Sequence, residues 1–213
     1  MNLTMYHILK RLFDLLLSLI GLLVLCPVLL LVAILIKLDS PGPVLYAGTR
    51  AGKDGNPFKM LKFRTMVTNA DKIGGPSTSE DDPRLTKIGK QLRRYKLDEL
   101  PQLINVLKGE MSLVGPRPEV LSEVAKYTPE ERALLSVPPG ITDWASIKFN
   151  NEGEILKGAA DPHRIYLEKI RPEKVRLGLE YVRRHSLLLD LQILFQTVAT
   201  ISGTRARQLD IRH

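Results

Sequence analysis

The chain has 213 residues, 44% hydrophobic and 25% charged, which is ordinary for one folded domain with an appendage. Thirty-one Lys and Arg against 23 Asp and Glu leave a net charge of +8, which favours an anionic partner: nucleic acid, an acidic bilayer surface or a phosphate-bearing substrate. The one cysteine, Cys26, excludes an internal disulfide framework and a zinc cluster, and the four histidines (His7, His163, His185, His213) lack metal-ligand spacing.

Residues 12–36 form the hydrophobic stretch, long enough to span a bilayer as one helix of about 20 apolar residues. It is too long for a cleaved signal peptide, and no small-x-small site follows it. Asp14 in its first turn and Pro27 after Cys26 argue against a plain spanning helix, because proline removes one hydrogen bond and bends the backbone. Lys10-Arg11 and Lys37 place positive charge at both ends, and such charge prefers the cytoplasmic side. A helix that enters, bends at Pro27 and leaves by the same face satisfies both ends; a kinked single-pass anchor is the alternative.

The turn at 39–43 leads to two short strands, 44–47 and 58–66, joined by a glycine-bearing loop at 52–57. Lys59, Lys62 and Arg64 put positive charge there, where attraction to anionic headgroups is the plain role. Gly48 to Asp54 lacks the spacing and the Ser/Thr of a Walker A loop. Residues 69–82 are polar and glycine-rich, as a mobile loop or lid would be. Asp82-Pro83 predicts an N-cap and first-turn proline for a helix with Leu85, Ile88 and Leu92 on one face.

Arg93 to Pro118 is the most informative stretch. Leu100, Leu103, Ile104 and Leu107 follow helical spacing, and Lys108-Gly109 is a C-terminal signal. Asp98 and Glu99 therefore fall at or just before a helix start, with Pro101 tolerated in the first turn. Taken alone, the pair is explained by capping. Pro116 and Pro118 clamp Arg117 in an extended turn, which limits the entropy lost when a guanidinium grips a phosphate.

Beyond it the chain reads as helical and punctuated. Thr128-Pro-Glu-Glu131 is a capping box, 137–143 a rigid turn, and 144–149 a short extended piece whose Trp144 serves packing or an interface better than stacking on a sugar. Asp161-Pro162 and Arg171-Pro172 each predict a helix start. Residues 187–201 are apolar but interrupted by Asp190, Gln192 and Gln196, which suits a helix at the interface or against the core. Residues 203–213 read as a loose tail.

Leu97-Asp-Glu-Leu-Pro-Gln102, followed by Asn105-Val-Leu-Lys-Gly-Glu-Met-Ser-Leu-Val-Gly-Pro-Arg-Pro118, resembles the signature of bacterial sugar transferases, the monotopic phosphoglycosyl transferases that start glycan assembly on a polyprenol phosphate. The likeness covers roughly residues 10–201 and implies a minimal catalytic form. It implies a mostly helical α+β fold: a proline-broken re-entrant membrane helix over 1–38 with the break at Cys26-Pro27, a small β-hairpin, and short amphipathic interfacial helices within a catalytic domain over 39–202. The reaction implied is transfer of a sugar-1-phosphate from a UDP-sugar to undecaprenyl phosphate, with UMP released, at the cytoplasmic face of the bacterial inner membrane. By family position Asp98 is the nucleophile that forms a covalent phosphosugar intermediate. Glu99 is its partner, aiding metal binding or taking a proton. Mg²⁺, held by Asp98 and Glu99, with Arg93 and Arg117, neutralises the diphosphate. Lys62-Phe-Arg-Thr-Met66 resembles a family segment that helps line the site, which adds Lys62 and Arg64 to Pro116 as binding candidates. Two departures stand out: Cys26 where the family break often has serine, and Asp143 where glycine is usual.

Two other classes compete. A membrane-tethered nucleic-acid binder is disfavoured, because no interleaved aromatics, helix-turn-helix or zinc signature accompanies the positive charge. A non-enzymatic, membrane-anchored assembly protein would tolerate changes at Asp98 and Arg117. The sugar is not specified, and a homodimer is left open.

Overall fold

The computed structural model describes residues 3–74 and 77–202, so the tail expected over 203–213 lies outside the described residues. A 37-residue helix, α1 (Leu3–Asp39), organises the fold. Tyr6, Lys10, Asp14, Ser18, Val32 and Ile36 are buried at helical spacing, with Leu22, Leu25 and Leu29 half-buried between them. This single stripe packs on the rest of the chain along the whole helix. The other faces, from Met5 through Leu16, Leu23 and Leu30 to Leu38, are bare and apolar. Met5–Asp39 is long and apolar enough to cross a membrane, and only 11% of its most apolar window is buried, unlike a core helix.

The break expected at Cys26-Pro27 does not interrupt the helical backbone, which runs through both residues. Packing explains this. Leu22 and Leu25 rest on one core cluster and Leu29 and Val32 on a second, so the domain supports both halves around a residue that forgoes one hydrogen bond. The C-terminal end of α1 is capped from outside. Arg64 donates to the carbonyls of Ser40 (2.8 Å), Pro41 (2.9 Å) and Pro43 (2.6 Å) and to Ser40 Oγ (2.8 Å). Asp39 in turn accepts from the Ile88 amide at 3.1 Å.

Strands β1 (Leu45–Ala51) and β2 (Pro57–Phe63) form an antiparallel hairpin in register from Leu45 opposite Phe63 to Ala51 opposite Pro57. The first strand is longer, and the second shorter, than the sequence patterns predict. One turn of helix, α2 (Ala70–Ile73), stands within the expected loop. The helix predicted to start at Asp82-Pro83 starts later, as α3 (Lys87–Arg94). Asp82 is occupied elsewhere: both carboxylate oxygens bind Arg84 Nε (3.0 and 3.1 Å). Thr86 takes the cap, its hydroxyl accepting from the Gly89 amide at 3.0 Å. A Cβ on Gly89 would fall 2.0 Å from the Thr65 carbonyl oxygen. Gly89→Ala should therefore cost about 1–3 kcal/mol through forced backbone shifts and lower Tm by about 5 °C. An unchanged melting curve would show that α3 is not pinned there.

A tight turn over Leu97–Glu99 precedes α4 (Gln102–Lys108), which ends at Gly109 with φ 86°. Arg11 reaches from α1 to the last carbonyls of α4, donating to Val106 (2.6 Å) and Leu107 (2.9 Å). Asn105, fully buried, joins α4 to β2: its amide donates to the Lys59 carbonyl (2.8 Å) and its oxygen accepts from Leu61 N (2.9 Å). β3 (Ser112–Val114) pairs in parallel with β4 (Gly140–Thr142), α5 (Leu121–Val124) lying between them in sequence. The chains meet so closely that a Cβ on Gly140 would stand 2.1 Å from Gly115 N, which requires glycine there.

The capping box at Thr128 and Glu131 forms, with bonds of 2.9 and 3.2 Å, and opens a run of tight turns over Glu131–Ser136. The piece expected to be extended is a helix, α6 (Trp144–Lys148), because Asp143 accepts from Ser146 N at 2.6 Å as an N-cap. Asp143 thus acts as the residue that starts α6. α7 (Glu152–Ile155) and α8 (Pro162–Ile165) follow, the latter capped by Asp161 as expected. Arg171-Pro172 starts α9 (Arg171–Arg184) with the proline in the first turn, as expected, and a wide turn over Tyr166–Ile170 leads helical backbone into it.

α10 (Leu187–Ile201) closes the described fold. Its Ile193 enters the main core with Phe58, Met60, Val106, Met111 and Tyr181, while Leu188, Phe195 and Val198 remain exposed. Asp190, 0% exposed, binds Lys10 of α1 at 2.8 Å and Tyr181 of α9 at 2.8 Å. One carboxylate therefore fastens the long apolar helix to two domain helices.

Candidate active site

Asp98 and Glu99 share a turn but not an environment. Glu99 is half-buried and held from two sides: Lys62 of β2 donates to Oε1 at 2.8 Å, and Arg117 binds both oxygens, Oε2 at 3.2 Å. Asp98 is buried at 6% exposure, and among the described residues none donates a hydrogen bond to its carboxylate. It faces a cavity of about 290 Å³ that is also lined by Lys62, Arg93, Lys96, Glu99 and Arg117.

The sequence dictates this difference. α3 stops at Arg94, the chain turns through Lys96 in the left-handed region (φ 57°), and Pro101 starts α4 without a free amide. Asp98 and Glu99 fall in the turn between, and both reach the cavity. β2 carries Lys62 to one side of Glu99. The β3–β4 pair sets the Pro116-Arg117-Pro118 segment on the other, the Pro116 carbonyl accepting from Gly140 N at 3.0 Å.

Electrostatics separates the two carboxyls further. Burial pushes Asp98 up from the ordinary carboxylate value, and the charge of Glu99 adds to this; Lys62, Arg93 and Arg117 offset only part. Burial acts on Glu99 in the same sense, but the charges and hydrogen bonds of Arg117 and Lys62 outweigh it and hold Glu99 well below the usual range. The Glu99 charge raises Arg117, while burial lowers Lys62. The result is a fully engaged glutamate whose ionised form is favoured, beside an aspartate with free oxygens.

Of the residues expected at the site, Asp98, Glu99, Arg93, Arg117 and Lys62 converge on the cavity. Arg64 does not, because its guanidinium is consumed by capping α1. Pro116 is buried behind Arg117 and shapes the turn without lining the cavity. Several lining residues gave no sequence signal: Lys96; Ser146 and Asn150 around α6; Glu152, paired with Lys174 of α9; and Thr197 and Thr200 of α10. They come from four separate segments that only the tertiary fold brings together.

Among the described residues no three His, Cys, Asp or Glu side chains converge as a resident metal site would need. Glu99 has both oxygens occupied, which leaves Asp98 as the open donor. That set fits Mg²⁺ carried mainly by substrate phosphates with one carboxylate from the protein, the common mode for this ion. It does not fit the two-carboxylate site expected from the sequence.

The cavity thus combines one unengaged buried carboxylate, a second neutralised by two cations, and further basic residues on its wall. Residues 5–204 match the family described as bacterial sugar transferase, and the chain belongs to that family. It is 44% identical over 196 residues to a UDP-glucose:undecaprenyl-phosphate glucose-1-phosphate transferase of Escherichia coli K12, covering 90% of this chain and 40% of that protein. It is 38% identical over 206 residues to a UDP-N-acetylgalactosamine-undecaprenyl-phosphate N-acetylgalactosaminephosphotransferase of Aeromonas hydrophila, covering 95% of this chain and 46% of the relative. The chain thus spans less than half the length of these two relatives. An exopolysaccharide production protein, PSS, of Rhizobium leguminosarum bv. phaseoli is 43% identical over 204 residues, 91% of this chain and 94% of its own length.

Proposed function

We propose that this chain transfers a sugar-1-phosphate from a UDP-sugar to a polyprenol phosphate at the cytoplasmic face of a bacterial inner membrane, through a covalent intermediate on Asp98. The observation that carries the reading is the Asp98–Glu99 contrast: one carboxylate unengaged in the cavity, its neighbour pinned between Lys62 and Arg117. The names of the relatives supply the substrate classes.

An Asp98 oxygen attacks the phosphorus that bears the sugar. The bond from that phosphorus to the bridging oxygen breaks, and UMP departs with the electron pair. An oxygen of the polyprenol phosphate then attacks the same phosphorus, restores the Asp98 carboxylate and forms the polyprenyl diphosphosugar. Mg²⁺, when bound by Asp98 and the diphosphate, supplies further neutralisation of phosphate charge. Arg117 and Lys62 are oriented by Glu99 and act on charge that develops beside them. A glutamate so firmly ionised is a poor proton acceptor, so its role is to position these cations.

The shape of α1 supports one membrane geometry. Its domain-facing stripe extends from Tyr6 to Ile36, so the domain lies alongside the helix instead of at one end. A straight crossing of the roughly 30 Å hydrocarbon core would carry the charged partners of that stripe into lipid. Immersing only the bare face avoids this and leaves both ends of the helix on one side.

UMP release from purified protein in nanodiscs, with Mg²⁺ and undecaprenyl phosphate, across a panel of UDP-sugars, tests the reading. Release is expected with at least one donor, and without an acid limb from Glu99 near the ordinary carboxylate range. Silence with every donor removes the reading.

A further inference from the structure

The cations around the cavity are not equivalent. Lys62 and Arg117 are committed to Glu99, and Lys174 to Glu152. Arg93 and Lys96 also line the cavity, yet among the described residues neither side chain has a hydrogen bond or an ion pair. The group formed by Asp98, Glu99, Lys62, Arg93, Lys96 and Arg117 therefore holds four positive charges against two negative. The surplus equals the charge of a nucleoside diphosphate sugar.

Lys96 stands out for a second reason. Its backbone has φ 57° and ψ 19°, in the left-handed region, immediately before the turn that carries Asp98. A lysine there is strained where glycine or asparagine would be at ease, and among the described residues its side chain makes no hydrogen bond or ion pair in return. Lys96 is half-buried and lines the cavity, among the charges of Glu99, Arg117, Asp98 and Arg93.

We infer that Lys96 is a substrate-binding residue whose ammonium grips the diphosphate of the donor, completing with Arg93 the positive charge that Glu99 leaves over. The inference rests on the diphosphate-sugar reading given above. It assigns Lys96 contact with phosphate oxygens that bear charge as UMP leaves, a role that stability of the turn does not require.

The test measures binding of UDP as the probe, with Mg²⁺, beside UMP release. Lys96→Met should weaken UDP binding and lower kcat/KM by roughly 10- to 100-fold, the usual effect of losing a charge-assisted hydrogen bond. Lys96→Arg should keep most of both. Lys96→Gly relieves the left-handed strain, so it should melt at or above the wild-type temperature while losing UDP affinity as the methionine variant does. That pairing of equal or greater stability with weaker binding is what a structural role would not produce. If Lys96→Met misfolds, Lys96→Gly carries the test. UDP affinity within twofold of wild type in Lys96→Gly overturns the inference, as does a wild-type protein that does not bind UDP. A wild type that binds UDP in a Lys96-dependent way but turns over no donor supports the inference and removes the proposed reaction.

Discussion

Asp98→Asn should abolish UMP release, by at least about 10³-fold as for removal of other nucleophiles, and yet melt at a higher temperature than wild type at neutral pH. The two effects have one cause. Burial, and then the charge of Glu99, raise the folded Asp98 carboxyl above its ordinary value of 3.8. A group whose folded pKa is raised contributes stability below its unfolded pKa and loses it as pH rises through the folded one. At neutral pH ionised Asp98 is thus a net cost, and the neutral amide removes it. Glu99 has the opposite sign: depressed from 4.5, it stabilises the fold above that value and loses the effect as pH falls through its folded pKa. Melting curves across pH 4 to 8, beside UMP assays, check both claims; the mutant and wild-type curves should converge toward the acid end. Wild-type UMP release by Asp98→Asn would refute the nucleophile, and a lower Tm at pH 7 would refute the electrostatic account.

How much of this was legible in the sequence depends on how local each cause is. The helix ending at Gly109, the capping box at Thr128 and the N-cap at Asp161 are set by neighbours within four residues, and they appear as expected. Asp98, Glu99, Arg93 and Arg117 were legible because one long stretch carries them, and Lys62 because its own short segment resembles the family; the cavity unites all five. The misreadings share a different cause. Asp82 was read as a cap, but Arg84, two residues on, claims its carboxylate. Arg64 was read as a ligand, but it lies beside the open end of α1, where unsatisfied carbonyls take its donors. At Pro27, where a bend was expected, the helix runs through the residue, and side chains on both of its flanks rest on a core. Each depends on what tertiary structure places nearby, which composition and periodicity do not encode. Lys96 is of this kind as well: a lysine after Tyr95 reads as solvated charge until the fold places it on the cavity wall.

Lys10→Met should destabilise the protein by about 3–5 kcal/mol and lower Tm by about 10 °C or more. Asp190 is 0% exposed, and Lys10 is its one cationic partner among the described residues, at 2.8 Å; Tyr181 at 2.8 Å and Tyr6 at 3.5 Å supply only neutral donors. Methionine keeps most of the stem's packing but strands a carboxylate where water cannot reach it. The loss should be larger than for any surface pair in the chain, such as Arg164–Glu168, because exposed pairs contribute about 0–1 kcal/mol. Lys10→Met with Asp190→Leu should recover most of the loss, since an apolar pair needs no ionic partner. The consequence reaches the active site. α10, fastened by Asp190, also supplies Thr197 and Thr200 to the cavity wall, and Thr197 bonds Thr142 of β4 at 2.8 Å. Loosening α10 from α1 should therefore lower UMP release at temperatures well below Tm, with the double variant regaining activity as it regains stability. If Lys10→Met melts like wild type, the α1–α10 clamp is not what holds the apolar helix to its domain. If the double variant recovers stability without activity, Lys10 acts on the site by some route other than the position of α10.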